Sequence, residues 1–306
     1  MIKATTTLLL LLASLSVHAA KPPETPSWTD AATAAKDVEH FDTIGEYVAK
    51  DGKTAIQANL LSDGEFLVAL YQGGLPGDGW DLSKIDSKKM PAMALKELLA
   101  SYSKVERESP TLGKPAPANA IIKFPDDLTN VADGIMQAGG KTAKDLGSFH
   151  MHLEFLLPLK PGHNPSSQKR GNSGIYIFNN YEIQVIDTFG LDYNNPENNA
   201  IKPESLNKQW CGSFYKQKLP DVNMTYPPLR WQTYDIDFTA PVLDGGKKVK
   251  NARITVRHNG VLIHDDFELL TGTGNGAKKP QLAEGPVFFQ AHGNPVVYRN
   301  VWATEL

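Results

Sequence analysis

The sequence predicts an all-β protein, an antiparallel sandwich preceded by a small β-rich extension with a short helix. Many short runs alternate apolar and polar residues, as strands do when one face is buried and the other is exposed. Tight-turn dipeptides separate these runs, and Asn259-Gly260 is the strongest of them. Numerous short strands joined by turns, with few helical runs, are typical of a sandwich.

Residues 1–20 are predicted to be a secretory signal and not part of the fold. Lys3 gives a positive start, an apolar run follows, and Val17-His18-Ala19 fits a cleavage site. Cleavage after Ala19 or Ala20 would yield an exported chain, periplasmic or extracellular. The apolar run is too short to span a membrane, and no later segment approaches the roughly 18 apolar residues that a spanning helix needs.

Residues 21–115 are expected to form the extension, with a β-hairpin and a helix, and residues 120–306 the sandwich. In the extension, residues 54–60 and 65–71 have strand character and flank a turn. Residues 90–105 have helical spacing. A proline-rich stretch marks the boundary between the two units.

The sandwich region contains eight runs with strand character and one long polar segment, residues 202–228. Loops of that length in compact domains are often functional. The dipeptide Asn179-Asn180 is expected to form a tight turn between two of the strands. The predicted strands are residues 148–157, 174–178, 181–187, 231–238, 252–258, 261–264, 285–291 and 296–302.

The composition excludes some classes of binding partner and of metal site. The 306 residues carry a net charge of −3, whereas a protein that binds phosphate backbones normally has a clear basic excess. A nucleic-acid partner is therefore not expected. The single cysteine, Cys211, permits no intramolecular disulfide and no multi-cysteine zinc site. Composition leaves the oligomeric state open.

The strand at residues 181–187 carries the first candidate site. Glu182 and Gln184 share one face of a regular strand, opposite Ile183 and Val185. Asp187 would fall on the apolar face unless a β-bulge turned it toward Glu182, and bulges are common beside active sites. The alternative is a strand with a solvated polar face.

A second candidate is His150-x-His152-x-Glu154, whose three side chains point to one face of their strand. That spacing suits adjacent ligands of a divalent metal ion, and it equally suits a solvated polar face. No cofactor is certain from the sequence. Six further residues could contact a ligand, although each has a structural alternative in core packing, a tight turn, a polar outer face or pairing with an acid: Asn172, Tyr176, Phe178, Gln290, His292 and Arg299.

Five motifs then establish a resemblance by their order and spacing. The sequence resembles the 3-keto-disaccharide hydrolase domain family over roughly residues 131–306. That family has a concanavalin A-like lectin/glucanase sandwich, or jelly roll, and occurs in exported bacterial proteins. The motifs are GNSGIYIFNNYEIQVID at 171–187, WQTYD at 231–235, NGV at 259–261, GPVFFQAHG at 285–293 and VVYRNVW at 296–302.

The resemblance implies a carbohydrate-active enzyme that cleaves 3-keto-glycosides, including 3-keto-disaccharides. A C3 ketone acidifies the C2 proton, so a base can remove it and the C1 substituent can leave, with elimination or net hydrolysis as the result. Glu182, His150 or His152 could be the base. The enolate could be stabilised by Gln184, Arg299, a histidine pair or a divalent ion. The catalytic candidates are Glu182, Gln184, Asp187, His150 and His152.

The same strand also resembles the catalytic strand of laminarinase-type glucanases, Glu-x-Asp-x-x-Glu. Here Gln184 and Asp187 replace the last two acids, which argues against a retaining pair with carboxyl groups about 5–5.5 Å apart. Two other functions stay open, namely a non-catalytic, lectin-like glycan-binding module and an envelope-associated interaction protein. Grouped titratable residues around Glu182 would favour the enzyme, and a shallow face of aromatics and amides the lectin.

Overall fold

The structure, a computed structural model, describes residues 25–306, so the predicted signal at residues 1–20 lies outside the described residues. The chain begins with a five-stranded antiparallel sheet in the order β4-β3-β2-β1-β5. Its elements are α1 (Ala31–Asp37), β1 (Gly45–Ala49), β2 (Thr54–Leu60), β3 (Phe66–Gln72), β4 (Asp86–Met90), α2 (Ala92–Leu99) and β5 (Tyr102–Val105).

The predicted hairpin in this extension is confirmed as β2 and β3, but the predicted helix at residues 90–105 is too long. Only α2 is helical, and the chain then turns at Ala100 and Ser101 to run as β5 beside β1. Pairing with β1 satisfies the backbone hydrogen-bonding groups along that sheet edge. The local spacing of apolar residues contains no information about this distant partner.

The rest of the chain builds the sandwich. Its strands are β6 (Ile122–Lys123), β7 (Val131–Ala132), β8 (Ile135–Gln137), β9 (Phe149–Leu156), β10 (Ser173–Ile177), β11 (Tyr181–Val185), β12 (Trp231–Thr239), β13 (Val242–Asp244), β14 (Lys247–Lys250), β15 (Ala252–His258), β16 (Val261–Leu269), β17 (Val287–Phe289) and β18 (Val297–Glu305). Short 3-10 turns lie at Phe41–Thr43, Pro196–Asn198, Asn207–Gln209 and Gly274–Lys278.

Two sheets face each other, and the predicted all-β, concanavalin A-like sandwich is confirmed. The large sheet runs β16-β15-β12-β9-β18-β8-β7, with β6 also pairing to β18, and the small sheet runs β11-β10-β17. Alternate residues of both sheets meet in one core, among them Met151 and Ile236 from the large sheet and Ile175 and Ile183 from the small one. The polar residues between them are thereby directed outward, away from the core.

The extension and the sandwich share a buried polar junction. Arg170 Nε donates to Asp187 Oδ2 at 2.6 Å, and its Nη2 donates to Asn59 Oδ1, on β2, at 2.8 Å. Asn59 Nδ2 in turn donates to the Phe189 carbonyl at 2.8 Å. All three side chains are fully buried, so the paired charges fix the extension to the end of the small sheet.

Within residues 25–306, no helix has the length and apolar character needed to cross a membrane.

Candidate functional site

The outer face of the small sheet carries the polar side chains that the sequence placed there. Tyr176 on β10 lies directly opposite Glu182 on β11, and Gly174 lies opposite Gln184. Because Ile175, Ile183 and their neighbours fill the core, the period of two turns these four residues outward. Strand pairing thus brings together a carboxylate, a phenol and an amide.

A cavity of about 500 Å³ opens over this face. β10, β11 and the segment after β17 supply its floor and one wall. A second wall comes from the chain near Tyr215, within the long polar loop, and a third from the turn Gly274–Lys278. The residues that line it are Gln168, Asn172, Tyr176, Glu182, Tyr215, Lys216, Gly274, Asn275, Lys278, Gln290 and His292.

Glu182 is the one carboxylate among the described residues that line the cavity, and it is only 3% exposed. Tyr176 donates its hydroxyl hydrogen to Glu182 Oε2 at 2.6 Å. Burial raises the pKa of Glu182, and the bond from Tyr176 offsets part of that rise, which leaves the pKa at about 7. A carboxylate that titrates near neutrality can accept a proton and release it again, as a general base must.

Backbone contacts hold Glu182 in place. The Glu182 amide donates to Thr273 Oγ1 at 2.7 Å, and the Thr273 amide donates to the Asn180 carbonyl at 2.8 Å. These bonds anchor the turn Gly274–Lys278 to the β10–β11 hairpin. The wall beside Glu182 is therefore fixed to the strand that carries it.

Two glycines leave room around the carboxylate. A Cβ at Gly174 would lie 2.5 Å from Glu182 Oε1, closer than real Cβ atoms approach. Gly274 has φ +47°, and a Cβ there would lie 3.2 Å from the Tyr215 ring. The sequence therefore needs glycine at position 174 so that Glu182 can lie flat against β10.

Cations lie on the rim of the cavity. Lys216 and Lys278 are exposed lining residues, and Lys216 Nζ lies 5.2 Å from the centre of the Tyr215 ring. His292 completes the rim. These side chains can face negative charge on a ligand oxygen in the cavity.

Comparison with known proteins identifies the family of this chain. The family described as 3-keto-alpha-glucoside-1,2-lyase-like domain matches residues 103–304. The chain belongs to this family. Its carbohydrate-active character, predicted from the motifs, is thereby supported.

A crystal structure of a provisionally assigned glycosyl hydrolase from Parabacteroides distasonis is 30% identical to this lyase-like chain. The match covers 63% of this chain and 86% of that one, with a TM-score of 0.51. Two further structures from the same organism, described in the same words, are 18% and 17% identical. They cover 57% and 61% of this chain, and 82% and 94% of their own, with TM-scores of 0.39 and 0.37. No curated protein matches the chain.

Five of the predicted site residues line this cavity together: Asn172, Tyr176, Glu182, Gln290 and His292. Gln184 lies beside it, 1% exposed, and donates from Nε2 to Asn172 Oδ1 at 3.1 Å. The small sheet therefore collects most of the predicted ligand contacts.

Asp187 and Phe178 lie elsewhere, and Asp187 does not take the position beside Glu182 that a β-bulge would have given it. β11 ends at Val185, and Asp187 is paired with Arg170. Phe178 has φ +55°, unusual for a bulky residue, and forms the hairpin turn with Asn179 (φ +56°), one residue earlier than predicted. Its ring is fully buried 5.2 Å from Phe238, so core packing and not sugar stacking accounts for it.

His150, His152, Glu154 and Arg299 lie on the outer face of the large sheet, so they do not join Glu182. His150 Nδ1 is 2.7 Å from Asp237 Oδ1. Arg299 Nε donates to Glu154 Oε2 at 2.7 Å, and its guanidinium stacks 3.9 Å from the centre of the Trp231 ring. Arg299 is therefore a pairing residue.

Two of the three metal candidates, His152 and Glu154, lie in one buried charge network. His152 Nδ1 lies 2.9 Å from Asp235 Oδ1, and its Nε2 lies 3.7 Å from Glu154 Oε1. The chain at Thr111 and Gly113 covers them, with hydrogen bonds to Asp235 and Glu154 of 2.8 and 2.6 Å. Among residues 25–306, no group of three or more His, Cys, Asp or Glu side chains could hold a metal ion.

Sequence reasoning missed Gln168, Tyr215, Lys216, Asn275 and Lys278 as lining residues. Tyr215 and Lys216 lie in the long polar segment, whose length was itself the signal of function. Gln168 and the turn Gly274–Lys278 had no such signal, because only the tertiary fold brings their loops to the small sheet.

Proposed function

We propose that this protein cleaves 3-keto-glycosides by removing the C2 proton with Glu182. The observation that carries the proposal is a buried carboxylate with a pKa of about 7 that faces a sugar-sized cavity. A base with its pKa near the working pH combines a useful ionised fraction with a useful affinity for the proton. The family match supports the substrate class.

In this mechanism the C2 proton passes to the Glu182 carboxylate, and the electron pair of the C–H bond forms an enolate with the C3 oxygen. The enolate then re-forms the ketone as a C1–C2 double bond develops and the C1–O bond breaks. The leaving oxygen takes a proton from the protonated Glu182 or from water. Addition of water across the double bond completes net hydrolysis.

The chain's own residues have distinct tasks. Tyr176 orients Glu182 through its 2.6 Å hydrogen bond and, as a neutral donor, leaves the carboxylate uncompensated by a cation. Lys216, Lys278 and His292 lie on the rim, where a developing oxyanion would find cationic or polar donors. Burial keeps bulk water from competing for the carboxylate.

The decisive experiment incubates purified protein with 3-keto-glycosides and with their unoxidised parents, with and without a chelator. We expect cleavage of the 3-keto compounds only, and a loss of about 10²- to 10⁴-fold in the Glu182→Gln variant. Glu97→Gln, on the exposed face of α2, is the matched control and should keep full activity. If the wild type cleaves neither set of glycosides, the enzymatic function is refuted. Full activity of Glu182→Gln would remove Glu182 from the mechanism. Loss of turnover with the chelator would assign a divalent ion to the reaction.

Glycan binding without turnover is the second candidate. The cavity presents the rings of Tyr176 and Tyr215 together with amide side chains, a combination suited to sugar hydroxyls and ring faces. Calorimetry with unoxidised and 3-keto-glycosides separates the two functions. Tight binding with no product after prolonged incubation would favour the binding module.

Export belongs to the same proposal, because 3-keto-glycosides outside the cytoplasm would meet the enzyme there. The apolar start of the chain supports it. Expression of the full chain in a bacterial host, followed by mass measurement of the envelope and medium fractions, should give a protein that begins after Ala19 or Ala20. A chain retained with its first twenty residues intact would refute export by cleavage.

A further inference from the structure

We propose that four amide side chains beside Glu182 form a subsite for one sugar hydroxyl, on the C4 or C6 side of the ring. We call Gln168, Asn172, Gln184 and Gln290 the amide group. The inference rests on the proposed carbohydrate substrate and adds how its ring is held. It also gives Gln168, which the sequence did not suggest, a role in specificity.

Three members of the amide group form a hydrogen-bonded chain. Gln184 Nε2 donates to Asn172 Oδ1 at 3.1 Å, and Asn172 Nδ2 donates to Gln168 Oε1 at 2.6 Å. Gln184 and Asn172 are 1% and 2% exposed, so this chain is shielded from solvent. Each bond fixes the next amide, and the direction of the chain leaves Gln168 with its NH₂ group free.

The amide group contains half of the buried side-chain polar atoms that lack a hydrogen-bond partner in the described residues. Six buried side-chain nitrogen or oxygen atoms in residues 25–306 have no hydrogen-bond partner, and three of them belong here: Gln168 Nε2, Gln184 Oε1 and Gln290 Oε1. Leaving such an atom unpaired is unfavourable, because the group has lost its hydrogen bonds to water. Two of these residues line the cavity and Gln184 lies beside it, and such a concentration indicates a place where a ligand supplies missing partners.

The missing partner must both donate and accept. Gln168 Nε2 is a donor and Gln290 Oε1 is an acceptor, and both side chains line the cavity. A hydroxyl fits both, whereas a carboxylate or phosphate could only accept. The terminal torsion of glutamine is soft, so Gln290 can turn Oε1 toward a hydroxyl at little cost, while the bond from Asn172 holds Gln168 with Nε2 free.

The position along β11 decides which side of the sugar is held. Residues 182 and 184 point the same way and are about 7 Å apart along a strand. That separation is comparable to the width of a pyranose ring with its substituents. When Glu182 reaches the C2 proton, the amide group therefore faces the far side of the ring, where C4 and C6 carry their hydroxyls.

The test measures binding by calorimetry with methyl α-glucoside and its 4-deoxy and 6-deoxy analogues as probes. We expect the wild type to bind one of the two deoxy sugars about 10- to 100-fold more weakly than the parent. Gln168→Leu and Gln290→Leu should bind the parent about as weakly as that analogue and should no longer discriminate. Gln137→Leu, whose side chain is exposed on β8, should behave as wild type.

Equal affinity of the wild type for all three sugars would overturn the subsite, as would absence of measurable binding of the parent. Unchanged discrimination in both glutamine variants would do the same. The wild-type comparison needs no variant, so a variant that fails to fold does not affect it. Cleavage of 3-keto-glycosides tests the proposed function separately, because a wild type that cleaves them without discriminating deoxy sugars would keep the function and lose the subsite.

Discussion

The two outer faces of the sandwich each carry a buried glutamate, and the pKa values of the two are shifted in opposite directions. Glu182, on the small sheet, has the neutral Tyr176 as its side-chain partner, and burial raises its pKa to about 7. For Glu154, on the large sheet, burial also raises the pKa, but the interaction with His152, whose Nε2 lies 3.7 Å away, and hydrogen bonds from Asn300 and Arg299 outweigh it and bring the pKa to about 2. Partners, and not burial alone, separate a titrating carboxylate from a structural one.

The covering of each face explains this difference. The segment before β6 lies over the large sheet, where the Gly113 amide donates to Glu154 Oε1 at 2.6 Å. The family match begins at residue 103 and therefore includes this covering segment. Among the described residues, no comparable covering segment lies over Glu182 on the small sheet, and the cavity lies there instead.

The largest expected effect in this comparison is on stability, from Glu154→Gln. Removing one partner of a buried charge network leaves the other charges uncompensated, which should cost about 3–5 kcal/mol of unfolding free energy. Because the folded pKa is depressed, the wild type has this stabilisation above about pH 4.5 and loses it as pH falls toward 2. Urea denaturation at pH 7 and at pH 3 measures it, with exposed Glu305→Gln as the control. An unchanged midpoint at pH 7 would contradict the assignment of a structural role.

Glu182→Gln should raise the free energy of unfolding, whereas Glu154→Gln should lower it. The folded pKa of Glu182 lies above its ordinary value, so ionising it costs folding free energy, and stability falls as pH rises through 7. The variant removes that cost and should be about 1–3 kcal/mol more stable than wild type at pH 8, with little difference at pH 4. Thermal unfolding at both pH values measures it. Equal or lower stability at pH 8 would show that Glu182 is not held in an uncompensated site.

Gly174→Ala should displace the Glu182 carboxylate while the large sheet stays intact. We expect a loss of at least about tenfold in kcat/KM for a 3-keto-glycoside, since small misplacements of a catalytic group are costly. Gly147→Ala is a matched control, because a Cβ there meets nothing within 4 Å. Wild-type activity in Gly174→Ala would mean that Glu182 tolerates a second position.

The smallest expected effect is on the pH profile. With Glu182 as the base, kcat/KM should rise up to tenfold per pH unit below about 7 and level off above it. The bond from Tyr176 lowers the pKa of Glu182, so Tyr176→Phe should shift this limb to higher pH. Initial rates across pH 5 to 9 provide the measurement. A limb that does not move in the variant would disconnect Tyr176 from the base.

Much of the fold was predictable because strand signals are local. Alternation identified β9 and placed Glu182 and Gln184 on one outward face, and turn dipeptides marked several of the hairpins. The errors came where distant chain segments intervened. The helix predicted through residue 105 gave way to β5 because β1 offered an edge, and Asp187 left its strand because Arg170 and the extension bind it.

The candidate site was predictable only in part, for a related reason. The motif around Glu182 pointed to the small sheet, and five of the predicted residues line one cavity. The histidine strand had an equally good local pattern, yet it lies under a covering segment on the other sheet. A polar strand face has the same sequence signature whether it is solvated, covered or catalytic.

The sequence by itself determined the all-β class, the outward direction of Glu182, and the exclusion of an intramolecular disulfide by a lone cysteine. Tertiary structure alone decided which polar face stays open, which acid lacks a cation, and which loops build the cavity walls. The physical reason is the sequence separation over which each property is determined. Side-chain direction follows from a period of two along one strand, whereas the pKa of a carboxylate depends on groups such as Arg299, 145 residues from Glu154, that only folding brings near.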